Sequence, residues 1–134
     1  KVPVIAVGDD DQSIYGWRGA KIQNIHSFSE EFQSTETVRL EQNYRSTQTI
    51  LRAANAVIEV NQGRLGKKLW TSGDEGQEIA LYAGFNEQDE ARYIVEQVQS
   101  WVLEGQDRSS VGVLYRSNAQ SRVLEDAFIS EGIP

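Results

Sequence analysis

Apolar residues along the chain alternate between short unbroken runs and stripes with helical spacing. The runs predict strands at 2–7, 37–40, 79–83 and 111–115. The stripes predict helices at 21–32, from an N-cap at Ser46 to about 61–63, from an N-cap at Asn86 to Gly105, and at 121–131. Residues 64–76 read as an irregular polar loop. Because strands and helices alternate, we expect an α/β fold whose helices flank a parallel sheet.

Each helical stripe is expected to face a core. The stripes consist of Ile22, Ile25, Phe28 and Phe32; Ile50, Leu51, Ala54, Val57 and Ile58; Ala91, Ile94, Val95, Val98, Trp101 and Val102; and Val123, Leu124, Ala127 and Phe128. With 134 residues, 39% of them hydrophobic, the chain can bury one core of ordinary size. The lack of cysteine and the single histidine exclude a disulfide framework and a thiolate metal site. No apolar run approaches the ~18 residues of a membrane span.

The net charge of −7 argues at first against a nucleic-acid partner, but it is unevenly distributed. Residues 73–107 carry nine acidic groups and one basic group, whereas 42–72 carry one acidic and five basic. We expect the acidic segment to be a solvated surface that phosphates avoid.

The segment from Gly8 to Ala20 follows the first predicted strand and joins three aspartates to an amide, two aromatic rings and an arginine. Open α/β sheets bind ligands at the carboxyl ends of their strands. Gln12 can donate to a phosphate, and Trp17 with Arg18 pairs a stacking ring with a phosphate-binding fork. The residues alone also fit core packing for Tyr15 and Trp17 and a turn-capping role for Gln12.

Three segments in order resemble motifs of the UvrD/Rep-type superfamily 1 DNA helicases of the bacterial DNA helicase II type. Gly8 to Ala20 is similar to motif III, Arg39 to Thr47 to motif IV, and Leu114 to Arg122 to motif IVa. The resemblance implies a RecA-like P-loop NTPase motor fold. It also implies that 1–41 is the C-terminal part of a first motor domain and 42–134 the N-terminal part of a second.

The same resemblance implies roles for individual residues. Gln12 would sense the γ-phosphate, Tyr44 would pack on adenine, and Arg45 would reach the γ-phosphate as an arginine finger, so that Gln12 and Arg45 are the catalytic candidates. The residues implied to bind DNA are Tyr15, Trp17, Arg18, Arg116 and Asn118. Without the resemblance, Tyr44 and Arg45 also fit an ordinary helix start with a surface arginine.

Other helicase motifs are missing from the printed sequence. No Gly-x-x-x-x-Gly-Lys-Ser/Thr phosphate loop occurs, and residues 63–68 have the wrong spacing for one. Asp74-Glu75 and Asp89-Glu90 imitate a magnesium-binding DExx motif, but neither follows an apolar strand, which favours turn and helix-start acids. We therefore expect an internal fragment that is inactive by itself and holds no metal ligands, with the Mg²⁺ ligands upstream.

The function implied by the resemblance is an ATP-dependent 3′–5′ DNA helicase or translocase in DNA repair that uses ATP and Mg²⁺. Its expected partners are single-stranded DNA, duplex junctions, the remaining helicase domains and repair proteins, in the cytoplasm at the nucleoid and without a membrane. Two alternatives stay open: a helicase subunit of a recombination helicase-nuclease, and a non-catalytic single-stranded-DNA-binding or interaction module.

Overall fold

A computed structural model describes residues 3–21, 23–32 and 34–133. The described residues up to Ile79 form one compact unit, and those from Ala80 form another. The helices of the described ranges are α1 (Gln23–Glu31), α2 (Gln48–Glu59), α3 (Glu87–Leu103) and α4 (Asn118–Ser130), with short 3-10 turns at Asp10–Gln12, Gly16–Arg18 and Arg108–Ser110. None of these helices is long and apolar enough to cross a membrane.

Helix α3 begins and ends at the predicted residues. The Asn86 side chain accepts a hydrogen bond of 2.9 Å from the Asp89 amide, as an N-cap does. Gly105 has a φ of 86°, the left-handed conformation that ends many helices. Helix α1 also lies where it is predicted, although Ile22 falls outside the described residues.

Helix α4 begins at Asn118, three residues before the predicted start at Ser121. The reason is a cap that the apolar stripe does not reveal. Gln120 accepts hydrogen bonds at its Oε1 atom from the amides of Ser117, at 3.0 Å, and Arg116, at 2.9 Å. This glutamine satisfies amides that would otherwise lack a partner at the helix start.

The start of α2 corrects the prediction of Ser46 as N-cap. Thr47 is the N-cap, and carbonyl oxygens of the polar loop accept from the first-turn amides: Gln48 donates to Asp74 and Thr49 to Glu75, at 3.1 and 3.0 Å. Gly76 is fitted closely against this junction. Its φ is 79°, and a Cβ there would lie 2.5 Å from the Thr47 side chain. The loop and the helix start therefore form one packed junction.

The predicted parallel sheet is not confirmed. Across 3–21, 23–32 and 34–133 the only β-pairing is an isolated parallel bridge between Gln42 and Trp70. Strand side chains are correspondingly open to solvent, with exposed fractions of 88% for Ile5, 96% for Leu81 and 94% for Leu114. A strand requires a hydrogen-bonded neighbour, and these segments have none among the described residues.

The apolar core of the second unit is small and lies along α3, which packs against α4. Three residues of the predicted α3 stripe are buried: Ala91, Val95 and Val98. The stripe predicted for α2 is wrong except at Leu51, since Ile50, Ala54 and Val57 are exposed and Ile58 is only half-buried. In α3, Val102 is also exposed, and the four predicted α4 positions are half-buried.

Candidate functional site

The turn at residues 9–12 folds Gln12 back onto Asp9. Asp9 caps the 3-10 turn by accepting from the Asp11 amide at 3.1 Å through its Oδ1 atom. Its Oδ2 atom accepts from the Gln12 side-chain Nε2 at 2.5 Å. The predicted γ-phosphate sensor is therefore held by a carboxylate of its own turn.

All three aspartates of this turn are bound by one loop, 64–67. Lys67 Nζ lies 2.5 Å from Asp9 Oδ1. Arg64 donates from Nε and Nη2 to the two oxygens of Asp11, at 2.9 and 2.7 Å, and the Leu65 amide donates to Asp10 at 2.7 Å. The turn and the loop, more than 50 residues apart in sequence, form one ionic cluster.

The three carboxylates lie close enough to resemble a cation site, with oxygens within 4.8 Å of one another. They do not fit a magnesium site, because each already binds a cation or an amide of the 64–67 loop. Burial opposes ionisation of Asp9, but the hydrogen bonds from Lys67 and Gln12 outweigh it and lower its pKa below the ordinary value. Asp9 is therefore a permanent anion near neutral pH.

The second turn of the segment presents its aromatic rings to solvent. Tyr15 is 53% exposed and Trp17 71%, so neither ring belongs to a core in this structure. The Arg18 guanidinium carbon lies 4.4 Å from the Trp17 ring centroid and 5.5 Å from that of Tyr15. An exposed cation stacked on two rings can contact a base and a phosphate together.

Tyr44 and Arg45 lie in a turn that Asn43 organises. The Asn43 Oδ1 atom accepts from the amides of Arg45 and Ser46, at 2.9 and 2.8 Å. Tyr44 is 86% exposed, and its hydroxyl donates to Gln42 at 2.8 Å. In the part of the chain that the structure describes, the exposed Arg45 guanidinium makes no ion pair. Both side chains are thus open to an incoming ligand.

Two cavities border the 64–67 loop, and one of them also borders the turn at residues 9–12. The smaller, of about 190 Å³, is lined by Gln12, Asp9 and Lys67 among others. The larger, of about 330 Å³, is lined by Arg64, Lys68 and Glu59 among others. Neither of these two cavities is lined by Tyr44 or Arg45.

A family model described as UvrD-like helicase C-terminal domain matches residues 38–134. The chain belongs to the UvrD-like helicase family. A second model, described as UvrD/REP helicase N-terminal domain, matches residues 1–33. Membership in the UvrD-like family implies a RecA-like fold, although the strands of its sheet are not seen among the described residues.

Relatives from several bacteria are similar to the chain along nearly its whole length. "DNA helicase II" of Escherichia coli (strain K12) is 59% identical over 131 residues, which are 98% of this chain and 18% of the relative. "ATP-dependent DNA helicase PcrA" of Staphylococcus epidermidis (strain ATCC 12228 / FDA PCI 1200) is 52% identical over 128 residues, 96% of this chain and 18% of the relative. The chain thus spans about a fifth of the length of these UvrD-like relatives.

The two family matches divide the candidate residues. Gln12 and the aromatic turn at 15–18 lie in the N-terminal match, and Tyr44 and Arg45 in the C-terminal match. Arg116 and Asn118 also lie in the C-terminal match, exposed at the start of α4 in the second compact unit. Their roles stay predictions.

Arg64 and Lys67 were not predicted as site residues from the sequence. Both lie in the segment 64–76, predicted as an irregular polar loop, and both bind the motif III aspartates. The loop is anchored to α2, because Asn55 donates to the Leu69 carbonyl at 2.8 Å and accepts from its amide at 3.1 Å. The basic excess of residues 42–72 opposite the acidic run at 9–11 was the available signal.

Proposed function

We propose that this chain forms part of an ATP-dependent DNA helicase that moves 3′ to 5′ along single-stranded DNA in DNA repair. The observation that carries the proposal is the continuous segment from Gln12 to Arg18. It places a held amide and an exposed aromatic and cationic cluster on successive turns. Matches to both UvrD-type domain models, in order, support the same function.

The DNA contact comes from the second of these turns. Tyr15 and Trp17 stack on bases, and Arg18 binds a backbone phosphate; stacking contributes about 1–3 kcal/mol per base. Arg116 and Asn118 hold phosphate and sugar from the second motor domain. At a duplex junction, the same residues would contact the single-stranded arm.

The nucleotide contacts come from Gln12, Tyr44 and Arg45. Tyr44 packs on adenine, the Gln12 amide donates to the γ-phosphate, and Arg45 stabilises the charge that develops on the transferring phosphoryl group. Mg²⁺ bound with ATP would supply positive charge to the phosphates. The aspartates at 9–11 are bound by the 64–67 loop, so we place the protein ligands of the metal upstream of motif III, as the family resemblance implies.

The domain organisation follows from the same assignment. Residues 1–41 complete the first RecA-like motor domain, and 42–134 begin the second. The apolar segments at 3–7, 37–40, 79–83 and 111–115 become strands of parallel sheets when the other strands of each motor domain pair with them. The helicase acts in the cytoplasm at the nucleoid, with repair proteins as further partners.

The test is DNA-stimulated ATP hydrolysis by the full-length protein with Arg45→Ala. An arginine finger contributes roughly 10³–10⁵ in rate, mostly in the transition state, so turnover should fall by at least about 10³-fold while ATP affinity changes little. Arg52→Ala is the matched control, because Arg52 lies outside the three motifs, is 60% exposed and pairs with Glu75 at 2.5 Å. Equal losses of turnover and affinity would make Arg45 a ground-state phosphate ligand instead.

A non-catalytic DNA-binding module is the second candidate. The exposed rings of Tyr15 and Trp17 beside Arg18 favour it, because they could bind a single strand without any nucleotide chemistry. Full-length protein that binds single strands but shows no DNA-stimulated ATP hydrolysis would establish the module and exclude the helicase.

A further inference from the structure

We propose that Asp9 and Lys67 are positioning residues for the Gln12 amide, and that Arg64 holds Lys67 in place. The proposal rests on the proposed role of Gln12 as γ-phosphate contact. It assigns a function to the 64–67 loop, which none of the three helicase motifs includes.

The contacts run in one line from the loop to the amide. Lys67 Nζ binds one oxygen of Asp9 at 2.5 Å, and the other oxygen of Asp9 binds Gln12 Nε2 at 2.5 Å. A glutamine amide has two N–H groups. Asp9 accepts one of them and fixes the rotation of the amide, which leaves the second N–H to donate to a phosphate oxygen.

The 64–67 loop also reduces the negative charge of the turn at residues 9–11. Three adjacent carboxylates beside a phosphate site would repel the nucleotide, and repulsion between like charges at a few ångströms is strong where water is partly excluded. Lys67 and Arg64 neutralise two of the three charges, and the third carboxylate, Asp10, accepts from the Leu65 amide. The amide of Gln12 can then meet an anion against one uncompensated carboxylate charge instead of three.

Arg64 fixes the loop that carries Lys67. Besides its two bonds to Asp11, its Nη2 atom donates to the Lys67 carbonyl at 2.8 Å. Asn55 of α2 binds both backbone groups of Leu69, so the loop is held at its far end as well. The lysine therefore reaches Asp9 from a fixed backbone.

Burial makes these pairs stronger than ordinary surface pairs. The paired side chains are 13–28% exposed, whereas those of Arg52 and Glu75 are 60% and 62% exposed. Solvent screens an exposed pair such as Arg52 and Glu75 almost completely, but partly buried pairs keep more of their attraction. Hydrogen bonding to Lys67 and Gln12 also keeps Asp9 ionised, as its lowered pKa indicates.

The experiment compares Lys67→Met with Gln12→Ala in the full-length protein, by steady-state ATP hydrolysis with single-stranded DNA. Lys67→Met should lower kcat about tenfold with little change in the KM for ATP, since misplacing a reacting group by 1 Å can cost roughly 100-fold. Lys67→Arg, which keeps the ion pair, should restore most of the rate. Lys68→Met, which removes the neighbouring charge without touching Asp9, is the matched control and should keep kcat.

The double variant separates positioning from a general effect on structure. Adding Lys67→Met to Gln12→Ala should lower kcat no further than Gln12→Ala alone, because both act through one amide. Asp9→Asn should behave like Lys67→Met, and it serves as a second variant if Lys67→Met melts at a lower temperature.

Additive losses in the double variant, or an unchanged kcat in Lys67→Met, would overturn the positioning role while leaving the proposed function intact. An unchanged kcat in Gln12→Ala would overturn the role of Gln12 itself. If the wild-type protein showed no DNA-stimulated hydrolysis, the proposed function would fail as a whole.

Discussion

Among single residues, Trp17 and Arg18 combine two kinds of chemistry on one short 3-10 turn. The ring is 71% exposed and apolar, and the guanidinium above it is charged. A ring gains affinity by stacking on a base, whereas a cation gains it largely by releasing counterions from the DNA backbone. The two contributions respond differently to salt, which separates them experimentally.

We predict that Trp17→Ala in the full-length protein loses about 1–3 kcal/mol of single-strand affinity with an unchanged salt dependence. Arg18→Ala should reduce the slope of log affinity against log salt by about 0.7 to 1, because one phosphate contact is lost. Titration of an oligonucleotide at several salt concentrations measures both. If Trp17→Ala unfolded the protein and left the affinity per folded molecule unchanged, the ring would be a packing residue.

Elements were predictable where their signals are local. The ends of α3 follow from Asn86 and Gly105, two residues whose caps depend on near neighbours. The strands could not be predicted in the same way, because a strand needs a pairing partner that is far away in sequence. The contacts of Arg64 and Lys67 with the motif III turn were not predicted for the same reason, since more than 50 residues separate the partners. The exposed rings of Tyr15 and Trp17 are consistent with the predicted binding role.

Helix α3 also depends on the ionised form of Asp89. Hydrogen bonds from the Phe85 amide and the Tyr82 hydroxyl outweigh burial and, with the nearby charge of Arg92, lower the pKa of this buried carboxyl. A lowered pKa in the folded state stabilises the fold above the unfolded value of about 4, and the contribution is lost as the pH falls through the folded value.

We therefore predict that Asp89→Asn destabilises the α3 region of the full-length protein near pH 7 and removes its extra sensitivity to acid. Hydrogen exchange of the α3 amides, corrected for intrinsic rates, measures this from pH 7 to pH 3. Glu96→Gln is the control, because Glu96 lies on the same helix with its side chain 60% exposed. A wild-type profile that Asp89→Asn leaves unchanged would contradict the assignment.

At the scale of the whole chain, the described residues present the candidate groups without a complete nucleotide site. Gln12 borders a cavity of about 190 Å³, below the ~300–1,000 Å³ typical of ligand pockets. Tyr44 and Arg45 are open to solvent. A phosphate loop, which positions the phosphates in such motors, is not in the sequence.

The 134-residue chain by itself is therefore predicted not to hydrolyse ATP. Stacking on Tyr44 should give at best millimolar affinity, near −4 kcal/mol. Phosphate release in the presence of Mg²⁺ and single-stranded DNA measures the activity, with Arg45→Ala as the comparison. Release that depends on Arg45 would show that the chain contains a full catalytic site.

The close fit of Gly76 against Thr47 makes a prediction for genetic selection. A side chain at Gly76 would need a left-handed backbone and would overlap Thr47, so it would shift the start of α2 and with it the turn that carries Tyr44 and Arg45. In a library of random substitutions selected for repair in living cells, Gly76 should tolerate almost no replacement. Gly112, where a Cβ would meet nothing within 4 Å, should accept alanine in the same library.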